Sequence, residues 1–342
     1  MMRSAVLTDT ETIELHEVDR PEAGPDEVLV RMREVGICGS DVHYWEHGRI
    51  GDFVVEGPLV LGHESAGVVE TTGDAVSGIE PGDRVALEPG VPCRRCSYCL
   101  RGHYHLCPDI EFMATPPDNG AFSEYVAWPA DFVHPLPDGV SMREGALCEP
   151  LSVGLHATEL ADIEPGNSVL ITGAGPIGLV TLETVTARGA GPVAITDIVP
   201  AKLERARNRG ARAAIDVSDV TVEDAVADLT DGSGFDVVIE ASGSRPAYQT
   251  ALDAVGVGGT VVCLGLPTDG VIPIDVVELA AREVRLQGSF RFANTYPAAL
   301  ELLTDGQVDV AGLVDETYPI DDISTGFEQT RSPEIVKVMI TL

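Results

Sequence analysis

The sequence predicts an α/β chain in two parts, a β-rich domain followed by a doubly wound parallel-sheet domain. Three observations predict it. The first 150 residues carry short apolar runs broken densely by Gly, Pro and Asp. From about residue 150, short apolar strands alternate with helical segments, the pattern of a parallel sheet covered on both faces. A glycine-rich turn, Gly173-Ala174-Gly175-Pro176-Ile177-Gly178, stands between the first of those strands and its helix. With 342 residues and 44% hydrophobic content, the chain can fill two cores.

In chain order, strands are expected at 28–32, 66–70 and 83–87, with Pro81-Gly82 as the turn before the third. A strand at 168–172 leads into the glycine turn and an apolar helix reaching about Arg188. Strand 193–197, a basic helix over 201–209, and strands 235–240 and 260–264 continue the alternation. After about residue 290 the alternation weakens. The pattern places boundaries near residues 150 and 290, dividing the chain into 1–150, 151–289 and 290–342.

Composition narrows the partners. There are 55 acidic residues against 22 basic ones, a formal net charge of -33. Such a field disfavours nucleic acid and anionic membranes. Only Lys202 and Lys337 are lysines. An acidic, lysine-poor surface reads as that of a halophile's protein, kept soluble in molar salt and weakened when screening is lost. No apolar run reaches membrane-spanning length, and no signal-peptide pattern opens the sequence. The cysteines are at 38, 93, 96, 99, 107, 148 and 263. Their clustering points to thiolates kept reduced in a cytoplasm.

The glycine turn has the context of a dinucleotide site. It follows a strand and opens a helix, and Asp197 closes the next strand. Gly173, Gly175 and Gly178 would allow the tight turn, the approach of a pyrophosphate and close helix packing. Pro176 and Ile177 open the helix whose N-terminus faces the phosphates. Asp197 would accept hydrogen bonds from the ribose and repel a 2′-phosphate, which favours NAD over NADP. Lys202 is within reach of the same ribose.

Two metal signatures precede it. Cys93, Cys96, Cys99 and Cys107 have chelate spacing, and four thiolates around a tetrahedral zinc leave no open position, so this site is structural. Cys38, in Gly-Ile-Cys-Gly-Ser-Asp, together with His63-Glu64 suggests an open, catalytic zinc site, with Glu149 a further acid. Three protein ligands keep a fourth position for water or an alcohol. Ser40 would take the hydroxyl proton and His43 pass it to solvent.

Taken together these segments resemble the zinc-dependent medium-chain dehydrogenase/reductase family. Residues 36–44, 61–64, 107–109, 112–117, 149–154 and 288–295 resemble its polyol branch, the sorbitol and xylitol dehydrogenases. The resemblance implies a GroES-like catalytic domain and a Rossmann domain, with the active site in the cleft between them and residues after about 290 packed back on the first. It implies catalytic zinc on Cys38, His63 and Glu64. Glu149 would hydrogen-bond the zinc-bound water or exchange with Glu64. Ser40 would be the proton relay. Tyr44, Phe112, Arg291 and Phe292 would line a polyol pocket, and Gly265, Leu266 and Phe290 would approach the nicotinamide. The four-cysteine lobe points towards microbial relatives. Cys148, next to Glu149, offers a further soft ligand, but reads more readily as a small buried residue facing away from the metal. The implied reaction is oxidation of a secondary hydroxyl of a small polyol to a ketose by NAD, in a homo-oligomer, with a tetramer favoured. Threonine, simple-alcohol and aldose dehydrogenases remain alternatives, as does a non-enzymatic NAD-binding protein.

Overall fold

The computed structural model describes residues 1–218, 220–267 and 270–342. The chain divides into two compact units, Met1–Glu149 with Ala293–Leu342, and Pro150–Phe292.

The first unit opens with an antiparallel hairpin, β1 (Met2–Asp9) and β2 (Thr12–Val18). Next come β3 (Glu27–Gly36), helix α1 (Gly39–His47), β4 (Glu64–Thr72) and β5 (Arg84–Leu87). Two short strands, β6 (Tyr125–Pro129) and β7 (Val133–Pro135), complete its first stretch. β3 is the hub. Its Val28, Val30, Met32 and Val35 are buried, and β4 pairs along most of its length. These side chains pack with Val69, Val85, Leu87 and Phe122. Each such burial stabilises by about 1.5–3 kcal/mol before entropy is charged against it. The turn expected at Pro81-Gly82 is present, with Gly82 at φ +97, a conformation that favours glycine.

Helix α2 (Cys148–Leu160) runs through the division between the units. The second unit then alternates: β8 (Val169–Thr172), α3 (Pro176–Ala187), β9 (Val193–Asp197), α4 (Pro200–Asn208) and β10 (Ala213–Asp216). It continues with β11 (Phe235–Glu240), α5 (Arg245–Ala254), β12 (Val255–Cys263) and β13 (Arg285–Gly288). The six strands form one parallel sheet in the order β10-β9-β8-β11-β12-β13. Their runs are apolar because both faces are covered; Val169, Leu170 and Ile171 are fully buried. Order reverses on either side of β8, the switch point at which such sheets bind ligands beyond their C-terminal ends.

The chain then returns to the first unit through β14 (Val314–Pro319) and β15 (Lys337–Thr341). β15 pairs antiparallel with the end of β3, Met339 opposite Gly36, and β14 pairs parallel with β15. The fold class expected from the sequence is the fold observed. Strand β12 begins at Val255, earlier than the expected 260–264, because Gly256, Gly258 and Gly259 hide its start from a propensity reading. Among the described residues no helix is long and apolar enough to cross a membrane.

Candidate metal and dinucleotide sites

Cys38 caps the N-terminus of α1, at φ -88 and ψ 156. Asp41, three residues on, accepts from the Cys38 N–H at 3.0 Å through Oδ2. Its Oδ1 accepts from the Gly62 N–H at 3.0 Å and lies 3.5 Å from His63 Nδ1. One fully buried carboxylate thus ties the Cys38 turn to the His63 turn. A carboxylate on one imidazole nitrogen fixes the ring and leaves the other as donor. Glu64 is the first residue of β4, opposite Gly36 of β3. Donor atoms of Cys38, His63 and Glu64 all lie within 4.8 Å of one another.

The electrostatics of this cluster suit a cation. Burial alone would lower the pKa of His63, but the Asp41 carboxylate and the Cys38 sulfur outweigh it and hold the pKa well above the usual imidazole value. Glu149 is buried as well, and its carboxyl is pushed up to about 7, first by burial, although His63 opposes the shift. The donor set of one thiol, one imidazole and one carboxylate fits zinc with an open position.

Tyr44 is buried on α1, and the Phe112 ring lies 5.9 Å from that of His63. Ser40 stands in the first turn of α1 and the exposed His43 one turn on, its ring 5.8 Å from His47. Partial burial and the neighbouring His47 lower the pKa of His43. Cys148 is fully buried, with its thiol directed at the Tyr296 carbonyl 4.0 Å away.

The four cysteines of the lobe sit together. Cys96 Sγ is 3.3 Å from Cys99 Sγ, Cys93 Sγ is 4.0 Å from Cys99 Sγ, and the Cys93 N–H donates to Cys107 Sγ at 3.3 Å. Donor atoms of all four fall within 4.8 Å, and all are free thiols. The Arg95 backbone N–H pulls Cys93 down to about 7, while burial and the Cys96 sulfur push Cys99 up to about 12. Four sulfurs this close cannot all ionise without a cation among them, and a tetrahedral zinc fits. The lobe is anchored by Tyr104, whose hydroxyl donates to Glu88 Oε1 at 2.6 Å and accepts from the Asn294 N–H at 2.7 Å. Glu88 also meets His134 Nε2 at 2.9 Å.

In the second unit the glycine turn has three different glycines. Gly173 is at φ +97. At Gly178 an added Cβ would lie 1.8 Å from the Gly173 carbonyl oxygen. At Gly175, the N-cap of α3, an added Cβ would meet nothing within 4 Å, and its φ of -72 suits any residue. Neither packing nor backbone requires glycine there, but a phosphate approaching the helix N-terminus would. Pro176 and Ile177 form the first turn of α3. Asp197 closes β9, and its carboxylate accepts from the Ala174 N–H at 2.7 Å and from the Ile198 and Val199 N–H groups. It therefore shapes the glycine turn directly, a role the spacing did not reveal. Lys202 is half-buried on α4. The Gly265 carbonyl accepts from Tyr248 OH at 2.6 Å, and Leu266 is exposed. Phe290 is exposed with the Arg291 guanidinium 4.9 Å from its ring centre, and Phe292 is buried.

Sequence reasoning quoted Asp41 without giving it a role and missed Lys337 as a site residue. The Lys337 ammonium is buried and donates to both Glu64 oxygens, at 2.6 and 2.8 Å. Asp41 had a signal in its place three residues after a helix cap. That Lys337 is one of two lysines was the only signal for it.

Residues 24–138 match the family described as alcohol dehydrogenase GroES-like domain, and residues 176–305 match the family described as zinc-binding dehydrogenase. The chain is 42% identical to a sorbitol dehydrogenase of Bacillus subtilis, covering 99% of this chain and 97% of that one. It is 44% identical to a sorbitol dehydrogenase of Mus musculus, covering 98% and 95%. A zinc-binding dehydrogenase from Sinorhizobium meliloti, solved with NADP bound, superposes with a TM-score of 0.93 at 31% identity, covering 100% of this chain and 99% of that one.

Proposed function

The chain belongs to the zinc-dependent medium-chain dehydrogenase/reductase family, and from that premise we propose that it oxidises a secondary hydroxyl of a sugar alcohol to a ketose with NAD. The observation that carries this reading is the convergence of Cys38, His63 and Glu64 donors within 4.8 Å. Likeness to sorbitol dehydrogenases over almost the whole chain supports the polyol class.

When bound, zinc supplies a Lewis acid at the hydroxyl oxygen and NAD supplies the hydride acceptor. Cys38, His63 and Glu64 would hold the first, and Asp41 keeps the His63 ring oriented. Ser40 receives the hydroxyl proton and His43, kept neutral by its lowered pKa, passes it to solvent. Glu149 holds a proton or releases one beside the ligands. Tyr44, Phe112, Arg291 and Phe292 would shape the polyol pocket, and Gly265, Leu266 and Phe290 would border the nicotinamide. Cys93, Cys96, Cys99 and Cys107 would hold a structural zinc.

Gly173, Gly175 and Gly178 receive the pyrophosphate, with Asp197 and Lys202 at the ribose. Asp197→Ala is expected to weaken NAD by about tenfold, near the worth of one charge-assisted hydrogen bond, and to narrow its advantage over NADP. Unchanged preference in steady-state kinetics would remove Asp197 from that role.

The reading is tested by NADH formation in molar KCl across polyols, threonine, simple alcohols and aldoses. A rate with sorbitol, xylitol or a relative is expected. Activity confined to aldoses or simple alcohols would discard the polyol class, and silence with zinc and NAD both bound would point to a substrate outside the panel or a non-catalytic role.

The net charge of -33 belongs to the same proposal, as adaptation to high salt in a cytoplasmic homo-oligomer, with a tetramer favoured. The melting temperature is expected to rise from dilute buffer to molar KCl as screening relieves self-repulsion. A flat profile would remove the salt reading.

A further inference from the structure

Helix α1 sorts its side chains into two faces. Asp41, Tyr44 and Trp45, at spacing i, i+3 and i+4, are buried. His43, Glu46 and His47 repeat that spacing on the opposite face, and both histidines are exposed. The reaction proposed above uses His43 and leaves His47 without a task. The two imidazole rings stand one turn apart, their centres separated by 5.8 Å and their planes inclined at 53°. Histidines at i and i+4 on one helix face form a chelating pair. Metal–nitrogen bonds of about 2.0–2.1 Å on each side, added to the two ring radii, span the separation found here. The rings can turn about exposed side-chain bonds to aim both nitrogens at one ion.

The surroundings favour a cation at that place. α1 ends at His47, and Gly48 caps it at φ +65, its N–H donating to the Tyr44 carbonyl at 2.9 Å. The carbonyls of a last turn carry partial negative charge. Glu46 Oε2 lies 3.9 Å from His47 Nε2, while Oε1 accepts from Arg331 Nε at 2.9 Å. Arg331 also meets Glu11, so two carboxylates face one guanidinium. The net charge of -33 adds a field that gathers cations around the whole chain. Partial burial, and after it the neighbouring His47, hold the pKa of His43 below the usual imidazole value, which leaves a ring lone pair open to a ligand at neutral pH. Imidazole donors suit zinc, nickel and copper, whereas magnesium takes oxygen.

We propose that His43 and His47 form a further metal site on the surface of α1, a two-histidine chelate for a divalent transition-metal ion, and that filling it inhibits turnover. An imidazole nitrogen bound to an ion has no lone pair for a proton, so the ion would close the path from Ser40 to solvent. The chelate stands on the helix geometry alone. The inhibition rests on the relay reading of His43 given above.

The test uses the full chain loaded with zinc and takes nickel chloride as the probe. One readout, nickel retained per chain at equilibrium dialysis, needs no turnover; the other is NADH formation, with zinc content measured alongside. The parent is expected to retain one nickel ion more than His47→Gln, which lacks a donor, and comparing the two cancels nickel held elsewhere. His47 is exposed at the end of its helix, so turnover of the variant without nickel should match the parent's. Nickel is expected to lower kcat of the parent by about tenfold, with zinc content unchanged, and to leave His47→Gln unaffected. That loss is smaller than the roughly hundredfold of a direct acid or base because His43 acts through Ser40. Equal nickel retention by the two proteins would overturn the site. Inhibition of the parent by magnesium to the same extent would mark charge screening and overturn the chelate as its cause. A difference in retention with turnover untouched would keep the chelate and overturn the inhibition, together with the relay assigned to His43. Should no substrate of the panel be turned over, dialysis decides the site alone.

Discussion

The first unit carries two clusters of side chains that could hold a metal ion, built on opposite plans. Cys93, Cys96, Cys99 and Cys107 come from one short stretch and carry their own turn geometry. Cys38, His63 and Glu64 come from a helix cap and a strand start, and their surroundings include Lys337 from a second strand. The lobe is largely at the surface; His63, Glu64, Asp41 and Lys337 are all buried. Four thiolates close a coordination shell and leave only a structural use. Three mixed donors would leave a position open to water or an alcohol. A closed site needs little from the rest of the fold, whereas an open one draws on much of it.

Removing a donor from each site should separate them most widely. His63→Ala is expected to lower turnover by about a thousandfold, the several kcal/mol that a Lewis acid supplies, with NADH binding nearly intact by fluorescence titration. Retention of full activity would break the comparison at its functional end. Cys96→Ser is expected to act on stability instead, lowering the melting temperature by about 5–10 °C, with kcat/KM changed less than tenfold at a temperature where the protein stays folded. A thousandfold loss there, with the melt unchanged, would reverse the assignment of the two sites.

The smallest effect sharpens the boundary of the lobe. Tyr104→Phe removes the hydroxyl that bridges Glu88 and the Asn294 N–H. Leaving a buried carboxylate short of a donor costs about 1–3 kcal/mol. Limited proteolysis should then cut within the lobe before the sheet. Equal protection in variant and parent would mean that the zinc alone holds the lobe in place.

The same contrast governs what the sequence disclosed. The four-cysteine cluster and the glycine turn were legible because their chemistry lies within a few consecutive residues. The strands of the second unit were legible because their apolar runs are uninterrupted. Cys38, His63 and Glu64 gained meaning only in combination and through a family likeness, since no local spacing joins residue 38 to residue 63. Lys337 stayed hidden: its partner is 273 residues away and the meeting depends on the register of two strands against β3. A lysine in an otherwise apolar strand, Lys-Val-Met-Ile-Thr, gives no hint of its acceptor. The position of Asp197 at a strand end suggested a ribose contact, but its bond to the Ala174 N–H depends on how the turn folds back on the strand end.

The return of residues 293–342 to the first unit has a consequence for biosynthesis. Glu64 leaves the ribosome 273 residues before Lys337. At about 5–20 residues per second, that interval lasts roughly 15–55 s. During it the nascent first unit lacks β15, the edge of β3 near Gly36 is uncovered, and a carboxylate destined for burial has no ammonium to meet it. The second unit is made whole within the same interval and can fold first. The donors of both clusters are therefore made early, by residues 64 and 107, and what arrives late is the strand that covers the edge of β3 and brings Glu64 its partner.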